Sequence, residues 1–186
     1  MSKLLKYIDG NLIEYEILKL VDFYDPILRQ PTIPYDFSRP TKDADYLAYS
    51  LAETMQKLGG LGLSANQVGL RDRVCVVNMQ DSTWTLFNPY IIETSEDRTS
   101  FGEGCLSYPG LYLKLARPNT IKVRFQAIGG QFVEHEFSGL TSVCVQHELD
   151  HLDGIVYTDR ISPIKLEQAK RKVKKTLKKI AKVTAS

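Results

Sequence analysis

The stretch Gln146-His147-Glu148-Leu149-Asp150-His151 constrains this chain more than any other. His147 and His151 are four residues apart, and on a helix that spacing puts both imidazoles on one face, where they can share a metal ion. Residues 140–152 therefore read as a helix, although Val143 and Val145 are β-branched. Glu148 follows the first histidine and can reach a water at the metal without itself coordinating. The plainer alternative is a surface helix with solvated histidines. Glu148 beside the pair speaks against it.

Such a helix needs a core around it. The chain has 186 residues, 43% hydrophobic and 25% charged, which suffices for one domain and excludes a disordered, collagen-like or low-complexity protein. After a proline-bearing segment, Asp25 to Pro40, that reads as irregular wrapping, Thr41 is the expected N-cap of a helix, with Asp43 and Asp45 in its first turn. Ala44, Leu47, Leu51, Met55 and Leu58 then recur at helical spacing until Gly59-Gly60. Extended stretches are expected at 74–77, 83–87, 111–115, 120–127 and 131–137, with Ile128-Gly129-Gly130 as a hairpin signal between the last two. A final helix should begin near Ser162, with Pro163 in its first turn and Ile164, Val173, Leu177 and Ile180 as a thin apolar face. Strands and helices are segregated. The fold class is α+β, with mostly antiparallel sheets, a central metal-binding helix and a C-terminal basic helix.

Charge divides the chain unevenly. Its 24 basic and 22 acidic residues leave only +2, but residues 165–186 hold nine of the basic residues and a single acid, Glu167, a net of +8. The remainder carries −6. We therefore expect a catalytic domain over 1–164 and a basic helical tail over 165–186. Cys75, Cys105 and Cys144 form no disulfide framework, which points to a reducing compartment. Charges interrupt the apolar N-terminal stretch, and no run is long enough for a signal peptide or a membrane helix. The expectation is a soluble, intracellular protein, cytoplasmic or in an organelle of bacterial origin, and not secreted.

A catalytic metal takes about three protein ligands and leaves one position open. The candidates for the third are His135, Cys105 and a downstream acid. His135 lies between Glu134 and Glu136 and reads as their solvent-facing partner; Asp153 is too close on the helix, and Glu167 sits in the basic tail. Cys105, in Gly102-Glu103-Gly104-Cys105-Leu106-Ser107, has glycines before it that would let backbone approach a metal closely. A thiolate with two imidazoles is a sound tetrahedral set. The glycine-dense stretch Gly59-Gly60-Leu61-Gly62-Leu63-Ser64-Ala65-Asn66-Gln67 lacks the Gly-Lys-Ser/Thr of a phosphate loop and follows a helix. It fits a loop lining an active site, with Gln67 as a hydrogen-bond donor.

Taken in order, Gly60 to Gln67, Glu103 to Ser107 and Gln146 to Leu152 resemble the three signature motifs of peptide deformylases, over most of residues 20–160. The resemblance implies removal of the formyl group from N-formylmethionyl nascent peptides, with release of formate. It implies that Cys105, His147 and His151 hold the metal and that Glu148 accepts a water's proton and passes it to the departing amine. The Gln67 amide and the Leu106 backbone N–H would receive the oxyanion. It also places Leu61, Gly62 and Cys144 around the methionine side chain, with Gly62 and Gly110 contacting the peptide. Ferrous iron is the implied ion, for which Zn(II), Ni(II) or Co(II) can substitute. Two positions depart from the family pattern and bear on the pocket rim: Ser64, where alanine is more usual, and Tyr108, where a small aliphatic is common.

Two other readings remain. A zinc endopeptidase could use the same histidine helix, against which stand Asp150 inside the motif and the lack of a clear downstream third ligand. A nucleic-acid-binding protein with a structural zinc would need four ligands where three are found. For the tail, the substrates point to the ribosome, whose phosphate backbone attracts nine cations over 165–182 without reading sequence.

Overall fold

Val74, Cys75, Val76 and Val77 are all fully buried, which a strand achieves only when both of its faces are covered. They belong to a computed structural model that describes residues 4–8 and 10–184, the side chains of Ile8, Asn11 and 176–184 excepted. In chain order the elements are β1 (Leu4–Ile8), β2 (Asn11–Tyr15), α1 (Ala44–Lys57), β3 (Gly62–Ser64), β4 (Val74–Asn78), β5 (Thr83–Thr94) and β6 (Arg98–Thr99). There follow β7 (Gly102–Cys105), β8 (Tyr108–Lys114), β9 (Arg117–Pro118), β10 (Thr120–Gln126), β11 (Phe132–Ser138), α2 (Gly139–Leu152) and α3 (Pro163–Thr184).

The main sheet is antiparallel throughout, in the order β11-β10-β5-β4-β3. Alternation along β4 sends Val74 and Val76 to one face, where Leu47, Leu51 and Met55 of α1 pack with Leu63 and Phe87. Cys75 and Val77 turn to the other face, against Val145, Leu149 and Leu152 of α2 and the inward residues Ile121, Val123 and Phe137 of β10 and β11. From Ser142 to Leu152 every residue of α2 but Cys144 is buried. Its far side is closed by the β7–β8 hairpin, whose Cys105, Leu111 and Leu113 form a third cluster with Leu28, Val156 and Tyr157. The expected fold class is the one observed: mostly antiparallel sheets around a central helix.

Several local expectations change. Thr41 does not cap α1; its hydroxyl donates to Asp72, while the Asp43 carboxylate accepts from the Asp45 and Tyr46 amides. A carboxylate takes two helix N–H groups and complements the dipole, so the helix starts at Ala44. Leu58 lies past the last turn and is exposed rather than part of the apolar face. β5 runs seven residues beyond the expected Phe87, through Pro89. Asn88 adopts a positive φ of 51°, and β10 follows with shifts of register, so the strand bends at the proline and continues. The Gly129-Gly130 hairpin forms as expected, with Gly130 at φ 82°. His135, rather than serving its neighbouring acids in solvent, lies against the rings of Trp84 and Phe137, with centroids 4.7 and 4.8 Å away.

α3 begins at Pro163, and the expected division at 164/165 falls inside it. Its packed face differs from the expected one. Leu166, Ala169 and Val173 lie on the third cluster, Val173 within reach of Gly110, whereas Ile164 is exposed. Leu177 and Ile180 lie outside the described side chains. Among the described residues no helix is long and apolar enough to cross a membrane.

Candidate active site

Three segments distant in sequence converge below one cleft. β3 and the short 3-10 turn after it, Ala65–Val68, deliver Ser64 and Gln67; β7 ends at Cys105; α2 presents His147, Glu148 and His151. The ligand atoms of Cys105, His147 and His151 all lie within 4.8 Å of one another, and all three residues are buried. Cys105 Sγ is 3.2 Å from His151 Nε2, and the two imidazole centroids are 4.9 Å apart. One sulfur and two ring nitrogens brought together under the surface match the donor set of a divalent transition metal, so the residues present fit such an ion.

His147 is held from behind. Its Nδ1 lies 2.9 Å from Glu103 Oε2, leaving Nε2 for the cluster. Glu103 accepts two hydrogen bonds from Arg117, at 2.6 and 2.8 Å, and Arg117 donates a third to Asp150 at 2.9 Å. Arg160 closes the chain on the other side of Asp150. Burial opposes the charge on Glu103, but its bonds to His147 and Arg117 outweigh it and hold the carboxyl below its ordinary range. Burial likewise opposes a charge on His147, yet Cys105 and Glu103 raise its pKa to about 10. His151, desolvated and facing both His147 and Arg117, is driven well below the usual imidazole value. Of the two imidazoles, His147 is therefore the one that favours the charged form.

Glu148 is buried but reaches the cleft, and burial raises its pKa; the charge of His147 and the Ser64 hydroxyl offset part of that rise. A Cβ on Gly62 would stand 2.5 Å from Glu148 Oε1, so only glycine leaves room for the carboxylate there. Gln67 is fixed at both ends of its amide: Oε1 accepts from the Ser64 backbone N–H at 2.9 Å, and Nε2 donates to Ser107 Oγ at 3.0 Å while lying 3.6 Å from Cys105 Sγ. Asn66 donates to the His151 carbonyl and ties the same turn to α2.

Above these groups opens a cleft of about 560 Å³. Leu61, Gly62, Leu106, Gly110 and Cys144, all named from the sequence, line it together with Gln67, Cys105, His147 and Glu148. His151 sits deeper. Leu140, Val143 and Tyr112 complete the apolar wall and had no signal in the sequence. The glycines before Cys105 serve another purpose than the one expected. A Cβ on Gly104 would meet the Tyr112 ring at 2.8 Å, while Gly102 faces open space. Neither departure from the family pattern lies at the rim. Ser64 is fully buried under the cleft, and Tyr108 packs edge-on against Phe23 in the third cluster. Sequence reasoning also missed Glu103, Arg117 and Arg160 as a supporting network. Glu103 stood inside a quoted motif, but nothing local pointed to the arginines.

Fold and site together define a metal-dependent hydrolase: a buried cysteine–imidazole cluster, a carboxylate beside it and an amide donor at the floor of one cleft. The comparisons make this specific. The polypeptide deformylase family model matches residues 17–167. Peptide deformylase 2 of Xanthomonas axonopodis pv. citri is 36% identical over 169 residues, covering 89% of this chain and 99% of that protein. A peptide deformylase structure from Legionella pneumophila superposes with a TM-score of 0.77 at 30% identity, covering 89% of this chain and 98% of that one. The Synechococcus elongatus enzyme in complex with actinonin also gives 0.77, at 32% identity over 83% of this chain and 86% of that one. The chain belongs to the peptide deformylase family, whose members are metalloenzymes. With the family shown, the endopeptidase alternative is set aside: the histidine helix is a deformylase helix.

Proposed function

We propose that the chain removes the formyl group of N-formylmethionyl nascent peptides and that the residues of this cleft divide the work. Cys105, His147 and His151 hold a divalent ion. Ferrous iron is the ion the family resemblance implies, and Zn(II), Ni(II) and Co(II) suit the same donors. When bound, the ion supplies Lewis acidity, acidifying water and polarising a carbonyl oxygen. The Glu148 carboxylate takes the proton of the attacking water and returns it to the departing amine; burial raises its pKa and so strengthens it as a proton acceptor.

Gln67 and the Leu106 backbone N–H donate to the oxygen that gains charge as the formyl carbon becomes tetrahedral. The Gln67 amide cannot turn its oxygen to the cleft, because Ser64 already occupies that end. Losing one such donor costs about 2.7–4 kcal/mol of transition-state stabilisation. Leu61 and Cys144 enclose the methionine side chain, and Gly62 and Gly110 present backbone to the peptide. The single observation that carries this reading is Glu148 in the cleft wall directly beside the Cys105/His147/His151 cluster.

The test is formate release from a formyl-Met dipeptide by one anaerobic preparation whose metal is measured. Formate released in proportion to iron supports the reading. A fully metal-loaded protein that releases none, or that cleaves internal peptide bonds instead, overturns it.

We further propose that the tail associates with the ribosome, where such substrates emerge, in the cytoplasm or in an organelle of bacterial origin. The division into residues 1–164 and 165–186 is one of function: catalysis in the first, docking by the second. Nine cations against one acid support it, on a helix that continues to Thr184 beyond the turns packed on β8.

A further inference from the structure

Ser64 touches both groups that the proposed reaction uses for proton transfer and charge stabilisation. Its backbone N–H donates to Gln67 Oε1, and its hydroxyl lies 2.7 Å from Glu148 Oε2 and 2.9 Å from the Glu148 carbonyl oxygen. A hydroxyl has one proton to give. In a helix the carbonyl already accepts the N–H four residues on, whereas the carboxylate has spare lone pairs and a charge, and a charge-assisted bond is the stronger. The proton therefore goes to Oε2.

On the other side of the same carboxylate, Gly62 lies so close that a Cβ would stand 2.5 Å from Oε1. The carboxylate is seated between bare backbone and one hydroxyl, and Ser64 itself is wholly shielded from solvent, so water cannot take over the contact. The backbone bond to Gln67 survives any side chain at this position. Only the bond to Glu148 depends on serine, the residue by which this chain departs from the alanine more usual in the first motif.

We propose that Ser64 is a positioning residue for deformylation, its hydroxyl fixing Oε2 of Glu148 so that Oε1 is aimed at the reacting water. This rests on Glu148 being the proton carrier. A carboxylate free to rotate spends part of its time misaligned, and small misplacements of a reacting group are expensive in rate. The effect should fall on kcat, because Ser64 does not line the cleft and adds nothing to substrate binding.

The experiment is a double-mutant cycle of Ser64→Ala and Glu148→Ala, with kcat expressed per bound metal. S64A should lose about fivefold or more in kcat, with KM and metal content near those of the parent. Its crystal structure should show the Glu148 carboxylate in more than one rotamer. In the E148A background the same change should have no further effect, since the group it steers is gone. An unimpaired S64A beside an impaired E148A overturns the proposal alone, as does a loss confined to KM or to metal content, or a full S64A penalty that persists without Glu148. Ordinary turnover by E148A would overturn the proton-carrier reading and this proposal with it.

Discussion

Glu103 Oε2 lies 2.9 Å from His147 Nδ1, and the same carboxylate is gripped twice by Arg117. One buried acid therefore orients an imidazole of the Cys/His/His cluster and accepts two of the three hydrogen bonds by which Arg117 is paired in the interior, Asp150 accepting the third.

Replacing Glu103 with Gln should loosen both. Metal affinity should fall about 10- to 100-fold, and stability should fall by less than the roughly 3–5 kcal/mol of a fully unpaired buried charge, because Arg117 keeps Asp150. Chelator competition and thermal melting check the two effects separately. The Glu103 pKa is lower folded than unfolded, so its contribution is fully present above the unfolded value and is lost as pH falls through the folded one. The difference in melting temperature between wild type and E103Q should shrink in acid. Unchanged metal affinity in E103Q would show that Glu103 does not orient the ligand.

Cys105→Ala, His147→Ala and His151→Ala should each lose the metal and, with it, activity, because the two remaining donors cannot compete with water for the ion. Elemental analysis after gel filtration reads this directly. Stoichiometric metal in C105A with near-normal turnover would remove the thiolate from the set.

Glu148→Ala should keep its metal and lose about two or more orders of magnitude in kcat, since only proton transfer is taken away. Gln67→Ala should also keep its metal and slow by roughly 10²–10³ in kcat. Metal content and single-turnover formate release on the same samples separate binding from chemistry.

Metal uptake should release at least one proton at pH 7. His147, with a pKa raised to about 10, is protonated in the metal-free protein and must shed that proton to coordinate, while His151 is already neutral. Affinity should therefore rise by about tenfold per pH unit while His147 remains protonated. Calorimetry in buffers of different ionisation enthalpy counts the protons. A count of zero at pH 7 would contradict the charge state assigned to His147.

Two truncations separate the roles of α3. Ending the chain after Lys175 removes Lys178, Lys179 and Lys182 but keeps Leu166, Ala169 and Val173 on the third cluster. Formyl-Met dipeptide turnover should survive, and salt-sensitive co-sedimentation with ribosomes should weaken. Ending it after Ile164 strips those three apolar residues from beside Tyr108 and should lower the melting temperature as well. Ribosome binding unchanged by both truncations would leave the tail as a packed and solvated helix only.

By itself the sequence determined whatever repeats over a few residues. A histidine pair four apart marks a helix with a shared donor face, Glu148 beside it marks the proposed proton carrier, and Gly129-Gly130 between two alternating runs marks a hairpin. Those relations are local, written in helical and strand periods. Tertiary structure decided the rest. Arg117 reaches Asp150 across 33 residues and Ser64 reaches Glu148 across 84, contacts that exist only once β3, β9 and α2 have been brought together. Asp43 prevailed over Thr41 as a cap because Thr41 found Asp72, and β5 passed Pro89 because Asn88 could take a left-handed turn beside a flexible register. Periodicity says which face of an element is buried; only the packed chain says which residue from elsewhere will meet it there.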